Sequence, residues 1–313
     1  MRLIVPVFLL FAFSILTSCK NIVSKFDRYV HKTYLRKGYV NETFQTKTHQ
    51  INYYDNKREE APVLLFIHGF GGDGKISWKS QAMAFEEDYR VIVPDILWFG
   101  ESKSLQTPEL QTQINAINEL IENLKLENIH VVGISYGGFI SLGIGHQNQS
   151  KLASLTIVDS PGVHFTDKEL QEFCDKIGVD NIADAFLPEN SKEVKRMLDF
   201  TFRKAPKLPA GIREQTIGIY LAKNPEEQRE LLENLPQNRN EFRDLDIDVP
   251  VLILWGEEDE IFLISDAEEL QAQLGAKLII IPKAGHSLPA EQPKAFNKAL
   301  SEFIEEIDSN VLR

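Results

Sequence analysis

Short hydrophobic runs alternate with longer stretches of helical periodicity over most of this chain. Two extended segments are predicted near residues 43–48 and 50–55. Stronger apolar runs follow at "VLLFIH", "RVIVP", "IHVVG", "SLTIV", "VLILW" and "KLIIIP". The periodicity predicts helices over 76–87, 109–124, 136–147, 265–274 and 290–307. Because strands that alternate with helices build a parallel sheet covered on both faces, we predict the α/β class, with a mostly parallel sheet flanked by helices.

The alternation is interrupted between "TIVDSPG" and "VPVLILWGEED". This interval has several short helical patterns and five prolines, but no run typical of a buried strand. We therefore predict a helical cap over 163–245, inserted between core segments 43–162 and 246–313. Open α/β sheets bind ligands at the carboxyl ends of their strands, so the cap is expected to shape a pocket there.

The amino terminus has a different character from the rest of the chain. Residues 3–18 form an uncharged, largely apolar run, which is short for a membrane-spanning helix and typical of a cleavable signal peptide, predicted over 1–18. "LTSC" also resembles the lipobox of bacterial lipoproteins, in which Cys19 would be lipidated. The expected location is that of an exported, membrane-associated lipoprotein. An uncleaved signal anchor and ordinary secretion remain open. Cys174, the only other cysteine, is expected to be a small buried side chain.

Positive charge is concentrated near the same end. Up to residue 40 the chain has seven Lys and Arg and one acidic residue, Asp27, whereas the remainder has 27 basic and 45 acidic residues. Residues 19–42 are therefore predicted to be a basic, membrane-proximal segment that contains an amphipathic helix. Such a helix either lies on anionic headgroups, packs on the folded body or belongs to a flexible tether. The acidic remainder argues against nucleic acid as a partner.

Candidate chemistry centres on Gly133-Ile134-Ser135-Tyr136-Gly137, a G-x-S-x-G pattern between a predicted strand and a predicted helix. A serine in such a turn is lifted out of the sheet, and the glycines remove side chains that would collide with neighbouring elements. A serine hydroxyl is a weak nucleophile at neutral pH unless a base removes its proton. Ser135 as nucleophile therefore requires a histidine partner; a simple turn is the alternative.

His286 is the best candidate for this base. It lies in "PKAGHSLPAEQP", directly after the last predicted strand, where its loop can reach the same edge of the sheet. The histidine needs a carboxylate to fix its tautomer and to stabilise the imidazolium. Asp259 follows the penultimate strand and gives the chain order Ser135, Asp259, His286. Asp159, one strand earlier, is the alternative acid.

A negatively charged intermediate would need two hydrogen-bond donors that already point at it. The loop "FIHGFGGDG" after the strand "VLLFIH" is rich in glycine and can turn its amides inward. By position, the amides of Phe70 and Tyr136 are the predicted oxyanion-hole donors.

These motifs, "HGFGG", "VPDILWFGES", "GISYGGF", "WGEEDEIF" and "AGHSLPAEQP", make residues 43–310 resemble the α/β-hydrolase superfamily. Within it, "GISYGGF" and the cap segment "LPENSKEVKRMLDFTF" resemble the monoacylglycerol lipase-type branch, whose members are serine hydrolases of lipid esters. Trp98 departs from this pattern, because relatives often have glycine there. It is expected either to narrow the pocket entrance or to pack under the cap.

The resemblance implies a serine esterase or lipase-like hydrolase that cleaves monoacylglycerol-like or other apolar esters through an acyl-enzyme. It implies no metal ion and no organic cofactor. Thioesterase and carbon–carbon bond hydrolase activities use the same triad and stay open, as does a ligand receptor without turnover. The expected partners are a small apolar ester and, through an N-terminal lipid or anchor, a membrane surface.

Overall fold

The structure, a computed structural model, describes residues 21–221 and 223–311. The predicted signal peptide and the predicted lipidation site Cys19 lie outside these residues. Within the two described ranges, no helix is both long enough and apolar enough to cross a bilayer.

One nine-stranded sheet forms the centre of the described chain. The strands are β1 (Val40–Gln45), β2 (His49–Asp55), β3 (Val63–Ile67), β4 (Arg90–Pro94), β5 (Lys103–Ser104), β6 (Ile129–Ile134), β7 (Leu152–Val158), β8 (Val251–Gly256) and β9 (Lys277–Ile281). Their order is β1-β2-β4-β3-β6-β7-β8-β9, and β5 pairs with β2. The short strand β5 has no counterpart among the predicted elements.

The sheet is antiparallel at the β1–β2 end and parallel from β4 to β9. Every residue of β3, β4, β7 and β8 is buried, which is why these strands appear in the sequence as largely apolar runs without an alternating polar face. The predicted α/β fold, a mostly parallel sheet flanked by helices, is confirmed. Its parallel strands direct the loops after β3, β6, β7 and β8 to one edge.

Helices cover both faces of the sheet. In the core they are α1 (Ile22–Arg36), α2 (Gly74–Ser77), α3 (Lys79–Phe85), α4 (Leu110–Asn123), α5 (Tyr136–Asn148), α11 (Ile264–Leu274), α12 (Leu288–Glu291) and α13 (Pro293–Val311). Between β7 and β8 lie α6 (Asp167–Ile177), α7 (Ile182–Phe186), α8 (Ser191–Thr201), α9 (Ala210–Thr216) and α10 (Pro225–Asn238). A π-helical turn, Ile217–Leu221, follows α9. Two apolar clusters result, one under α4, α5 and the helices between β7 and β8, the other under α1, α3 and α13.

Two predicted helices are interrupted in the structure. The predicted helix 76–87 is divided into α2 and α3 at Trp78, whose backbone is not helical. The Trp78 side chain is fully buried, with its ring 4.9 Å from that of Phe66 and 5.9 Å from that of Phe296. The predicted helix 290–307 is divided at Gln292, because Pro293 starts a new helix.

The basic segment 19–42 is partly integrated into the folded body. Helix α1 buries Val23, Val30 and Tyr34 against it, and β1 already begins at Val40, ahead of the predicted start of the core at residue 43. Beside this buried stripe of α1, Phe26 and Tyr29 stay about half exposed. The structure therefore favours a packed helix over a tether, and one side of that helix remains open to solvent.

Candidate active site

The turn that carries Ser135 joins β6 to α5 and is strained. Ser135 has φ 54° and ψ −121°, a left-handed conformation that residues other than glycine rarely adopt. Such strain costs about 1–3 kcal/mol and persists only where the surroundings impose it. Here the Ser135 amide donates to the Val158 carbonyl at 2.9 Å, and the Ser135 carbonyl accepts from Gly138 at 2.8 Å.

The glycines of this turn are needed for close packing. A Cβ at Gly137 would lie 2.4 Å from the Ile67 carbonyl oxygen and 2.5 Å from that of His68, at the end of β3. A Cβ at Gly133 would lie 2.1 Å from the Ser141 hydroxyl. The short glycine contacts let α5 start directly against β3, and Ser135 is thereby presented at the carboxyl edge of the sheet.

His286 and Asp259, which are distant in sequence, are in contact. The Nδ1 atom of His286 lies 2.9 Å from Oδ2 of Asp259, and both side chains are almost completely buried. The other carboxylate oxygen of Asp259 accepts from the Ile261 amide at 2.8 Å and from the Phe262 amide at 3.3 Å. Two amides therefore fix the carboxylate so that one oxygen is left for the imidazole, and Nε2 is the ring nitrogen left for a proton from a substrate or nucleophile.

Asp159, the alternative acid, has a different environment. It is fully buried, and its Oδ1 accepts from the Gly256 amide at 2.7 Å. Among the described residues, its Oδ2 has no hydrogen-bond partner. Burial, with a further contribution from the nearby Asp259 carboxylate, raises the pKa of Asp159 well above its ordinary value. The structure thus pairs His286 with Asp259, and burial favours the protonated form of the Asp159 carboxyl.

The glycine-rich loop after β3 runs beside Ser135. A Cβ at Gly69 would lie 3.5 Å from the Ser135 hydroxyl oxygen, and Phe70 lines a cavity together with Ser135 and Tyr136. Tyr136 is the first residue of α5, where amides have no partner within the helix. The predicted oxyanion donors thus belong to two backbone segments that flank the serine.

A buried histidine holds this loop, a detail that sequence reasoning missed. The Nε2 of His68 accepts from the Ile96 amide at 3.1 Å, so its Nδ1 carries the proton and donates to the Gly69 carbonyl at 2.7 Å. Burial lowers the pKa of His68 to about 4, which keeps the ring neutral. The motif "HGFGG" contained the signal, because its histidine directly precedes the loop.

Two cavities meet at Ser135. The first, here called the apolar cavity, has about 550 Å³ of empty space, counting the part open to solvent, and is lined by Phe139, Phe165, Leu170, Leu232, Ile261 and similar side chains. The second, here called the His286 cavity, has about 970 Å³ of empty space, counting the part open to solvent, and is lined by His286, Ser287, Thr201 and residues of α2 and α8. Ser135, Phe70 and Phe186 line both. The serine hydroxyl is thus accessible from two differently lined spaces.

The segment after α8 is bound to the loop that carries His286. Glu291 accepts from the Gly285 amide at 2.7 Å, from the Arg203 amide at 3.1 Å and from the Lys204 amide at 3.2 Å. The Ser287 amide also donates to the Thr201 carbonyl at 2.8 Å. These hydrogen bonds therefore couple the position of the His286 loop to that of the C-terminal end of α8.

Trp98 and Cys174 have structural environments. Trp98 is buried, and its carbonyl accepts from the side chains of Asn224 and Gln228, each at 2.8 Å. Since Gln228 belongs to α10 and Asn224 directly precedes it, Trp98 packs beneath the helices between β7 and β8, one of its two expected roles. Cys174 is a buried free thiol, as expected.

The sheet, the strained serine turn and the Asp259–His286 pair together define a protein of the α/β-hydrolase class. A family model described as "alpha/beta hydrolase fold" matches residues 62–293, and the chain belongs to this family.

Individual relatives are similar along most of their length. Lipase 1 of Psychrobacter immobilis is 29% identical over 75% of this chain and 74% of its own. Monoacylglycerol lipase ABHD6 of Bos taurus is 25% identical over 79% of this chain and 77% of its own. A crystal structure of a membrane phospholipase A, described as a bacterial virulence factor, superposes with a TM-score of 0.77 at 24% identity. It covers 96% of this chain and 98% of its own, and this likeness shows the fold.

Proposed function

We propose that this protein is a serine hydrolase that cleaves carboxylic esters. The observation that supports the proposal most directly is the Asp259–His286 hydrogen bond beside a cavity that Ser135 also lines. Lipases among its relatives support the ester as substrate.

In this mechanism Ser135 attacks the ester carbonyl while Nε2 of His286 takes the hydroxyl proton. Asp259 holds the imidazole in the tautomer that leaves Nε2 free, because the Nδ1 proton points at its carboxylate. The amides of Phe70 and Tyr136 stabilise the oxyanion. His286 then protonates the leaving alcohol, and water releases the acyl group from Ser135 by the same steps in reverse.

The two cavities support an assignment of the two halves of the substrate. A leaving alcohol must receive its proton from His286, so it belongs in the His286 cavity. The acyl chain then occupies the apolar cavity, whose lining is aliphatic and aromatic apart from Ser135, Tyr136 and Arg239. The Arg239 guanidinium is already paired with Asp167. An uncharged acyl chain fits such a lining, and we infer a monoacylglycerol-like or similar apolar ester.

We also infer that the mature chain is an exported lipoprotein attached through Cys19. The motif "LTSC" after an apolar run supports this proposal. Cys19→Ala should abolish incorporation of a labelled fatty acid into the protein in its host, and a wild-type chain that takes up no label would contradict lipidation.

The test of the proposed function uses purified full-length protein and a panel of glycerol and aryl esters graded by acyl length. Wild-type protein should hydrolyse the panel with many turnovers and react with a fluorophosphonate probe at Ser135. Ser135→Ala should abolish both, with unchanged circular dichroism and thermal unfolding.

Two results would contradict the proposal. Undiminished hydrolysis by Ser135→Ala would remove the serine mechanism. A labelled Ser135 without sustained turnover on esters or thioesters would favour a ligand receptor instead.

A further inference from the structure

Helix α1 presents an uncovered side to solvent. Its buried side chains face the body, whereas Ile22 is 38%, Phe26 50% and Tyr29 52% exposed. The rings of Phe26 and Tyr29 stack with their centroids 6.5 Å apart. Exposed aromatic pairs of this kind are unusual on a helix that already has a packed side, and they indicate a surface that contacts something else.

The exposed charged side chains of α1 are all positive. Lys25, Arg28, Lys32 and Arg36 are exposed, and Lys79 of α3 lies 5.4 Å from the centre of the Tyr29 ring. The helix has one acidic residue, Asp27, which faces the body and pairs with Lys75 at 2.9 Å. The outward side therefore combines aromatic groups with cations that no acid of the helix neutralises.

We propose that this surface, formed by Ile22, Lys25, Phe26, Tyr29 and Lys32 and here called the α1 face, docks on an anionic lipid bilayer. Aromatic side chains prefer the headgroup region, and each Lys or Arg near an anionic surface strengthens binding.

The charge of the remaining chain fixes the orientation of docking. After residue 40 the chain carries 27 basic and 45 acidic residues, so an anionic surface repels the body and attracts α1. Cys19, the proposed site of lipid attachment, lies only three positions before Ile22 in the sequence, so a lipidated chain would have α1 directly after its anchor. Both observations favour a lipid bilayer over an acidic protein as the partner that binds the α1 face.

A short series of side-chain contacts links helix α1 to the wall of the His286 cavity. Asp27 pairs with Lys75 of α2 and accepts from the Tyr220 hydroxyl of the π-helical turn at 3.1 Å. Helix α2 also contributes Ile76 and Ser77 to the wall of the His286 cavity. Docking of the α1 face thus brings this cavity close to the lipid surface. Delivery of a lipid ester rests on the proposed function, whereas docking itself does not.

Lysine acylation footprinting of the full-length chain tests the docking. The protein is reconstituted in vesicles of phosphatidylcholine alone, or of two parts phosphatidylcholine and one part phosphatidylglycerol, and treated with a water-soluble acetylating ester before mass spectrometry. We expect Lys25 and Lys32 to react about fivefold more slowly on the anionic vesicles. Lys168 and Lys298, exposed lysines on α6 and α13, serve as internal controls and should react equally on both.

A variant and a salt titration complete the test. Phe26→Ala combined with Tyr29→Ala should weaken the protection of Lys25 and Lys32 without unfolding, because both rings are half exposed. Leu105→Ala, at a side chain that is 87% exposed, is the matched control and should keep full protection. Molar salt should remove the protection.

Equal rates on the two vesicle types, or protection of all lysines alike, would overturn the proposal. Protection by soluble polyglutamate but not by vesicles would also overturn it, because the α1 face would then select an acidic polypeptide.

Discussion

Separate replacement of Asp259 and Asp159 by asparagine should have opposite consequences. In Asp259→Asn the side-chain oxygen has two amide donors, those of Ile261 and Phe262, and stays with them. The new NH₂ group then points at Nδ1 of His286, where the carboxylate oxygen accepted before. The imidazole must shift its proton to Nε2, and it can no longer accept the proton of Ser135.

The size of this effect follows from the tautomer. A triad with the wrong tautomer loses about 10⁴-fold in kcat, which corresponds to about 5.5 kcal/mol of transition-state stabilisation. Asp159→Asn replaces a carboxyl whose protonated form burial favours, and the amide oxygen can still accept from the Gly256 amide. We expect its kcat to stay within about threefold of wild type, which is less than ~1 kcal/mol.

Steady-state kinetics with one ester, together with fluorophosphonate labelling rates, measures both variants. Labelling isolates the activation of Ser135, so it should fall in Asp259→Asn alone. A loss of more than a hundredfold in Asp159→Asn, with Asp259→Asn nearly intact, would refute the reasoning and make Asp159 the acid.

Four further predictions concern packing, positioning, pH and chain length. Gly137→Ala should lower the free energy of unfolding by at least ~2 kcal/mol in urea titrations, because the added Cβ meets immobile backbone carbonyls. Gly211→Ala, where the added Cβ meets open space, is the control and should be neutral or stabilising. Glu291→Ala should lower kcat about tenfold by releasing the His286 loop. Glu291→Gln should keep most of the wild-type kcat, since an amide oxygen can still accept the hydrogen bonds. Equal kcat in wild type and Glu291→Ala would contradict this positioning role. Because the pKa of Asp159 is raised in the folded state, the folded chain keeps a proton that the unfolded chain loses near pH 4. The free energy of unfolding therefore falls as pH rises through the folded pKa. Asp159→Asn should remove the contribution of Asp159 to this fall. Leu235→Trp should fill part of the apolar cavity and lower kcat/KM for long acyl esters more than for acetate; an equal loss for both would contradict the assignment of the acyl chain.

Local patterns explain which parts of the fold were predictable. The run "RVIVP" corresponds to β4 without a shift, because Val91, Ile92 and Val93 are buried on both faces of the sheet and Pro94 marks the end of the run. The division of the helix at Trp78 was not predictable, because apolar periodicity continues through it. The break follows from burial of that ring against Phe66 and Phe296, which are contacts between distant parts of the chain.

The candidate site likewise contains some residues that local sequence patterns predict and others that they do not. Ser135 stands out through its own glycines, and the order of Asp259 and His286 suggested partners that the structure brings into contact. Asp159 and Asp259 follow adjacent strands, so only coordinates could distinguish them. Glu291 had no local signal, because the amides that it binds lie up to 88 residues away and any backbone presents such donors.

The two cavities that meet at Ser135 imply an order of events in turnover. In the proposed mechanism the alcohol departs through the His286 cavity while the acyl chain still fills the apolar cavity, so the water for the second half-reaction must arrive by the route that the alcohol has just left. Any small alcohol retained there competes with that water for the same acyl carbon. The proposed mechanism therefore predicts transfer of the acyl chain between alcohols as a side reaction, whose share of product should rise with alcohol concentration.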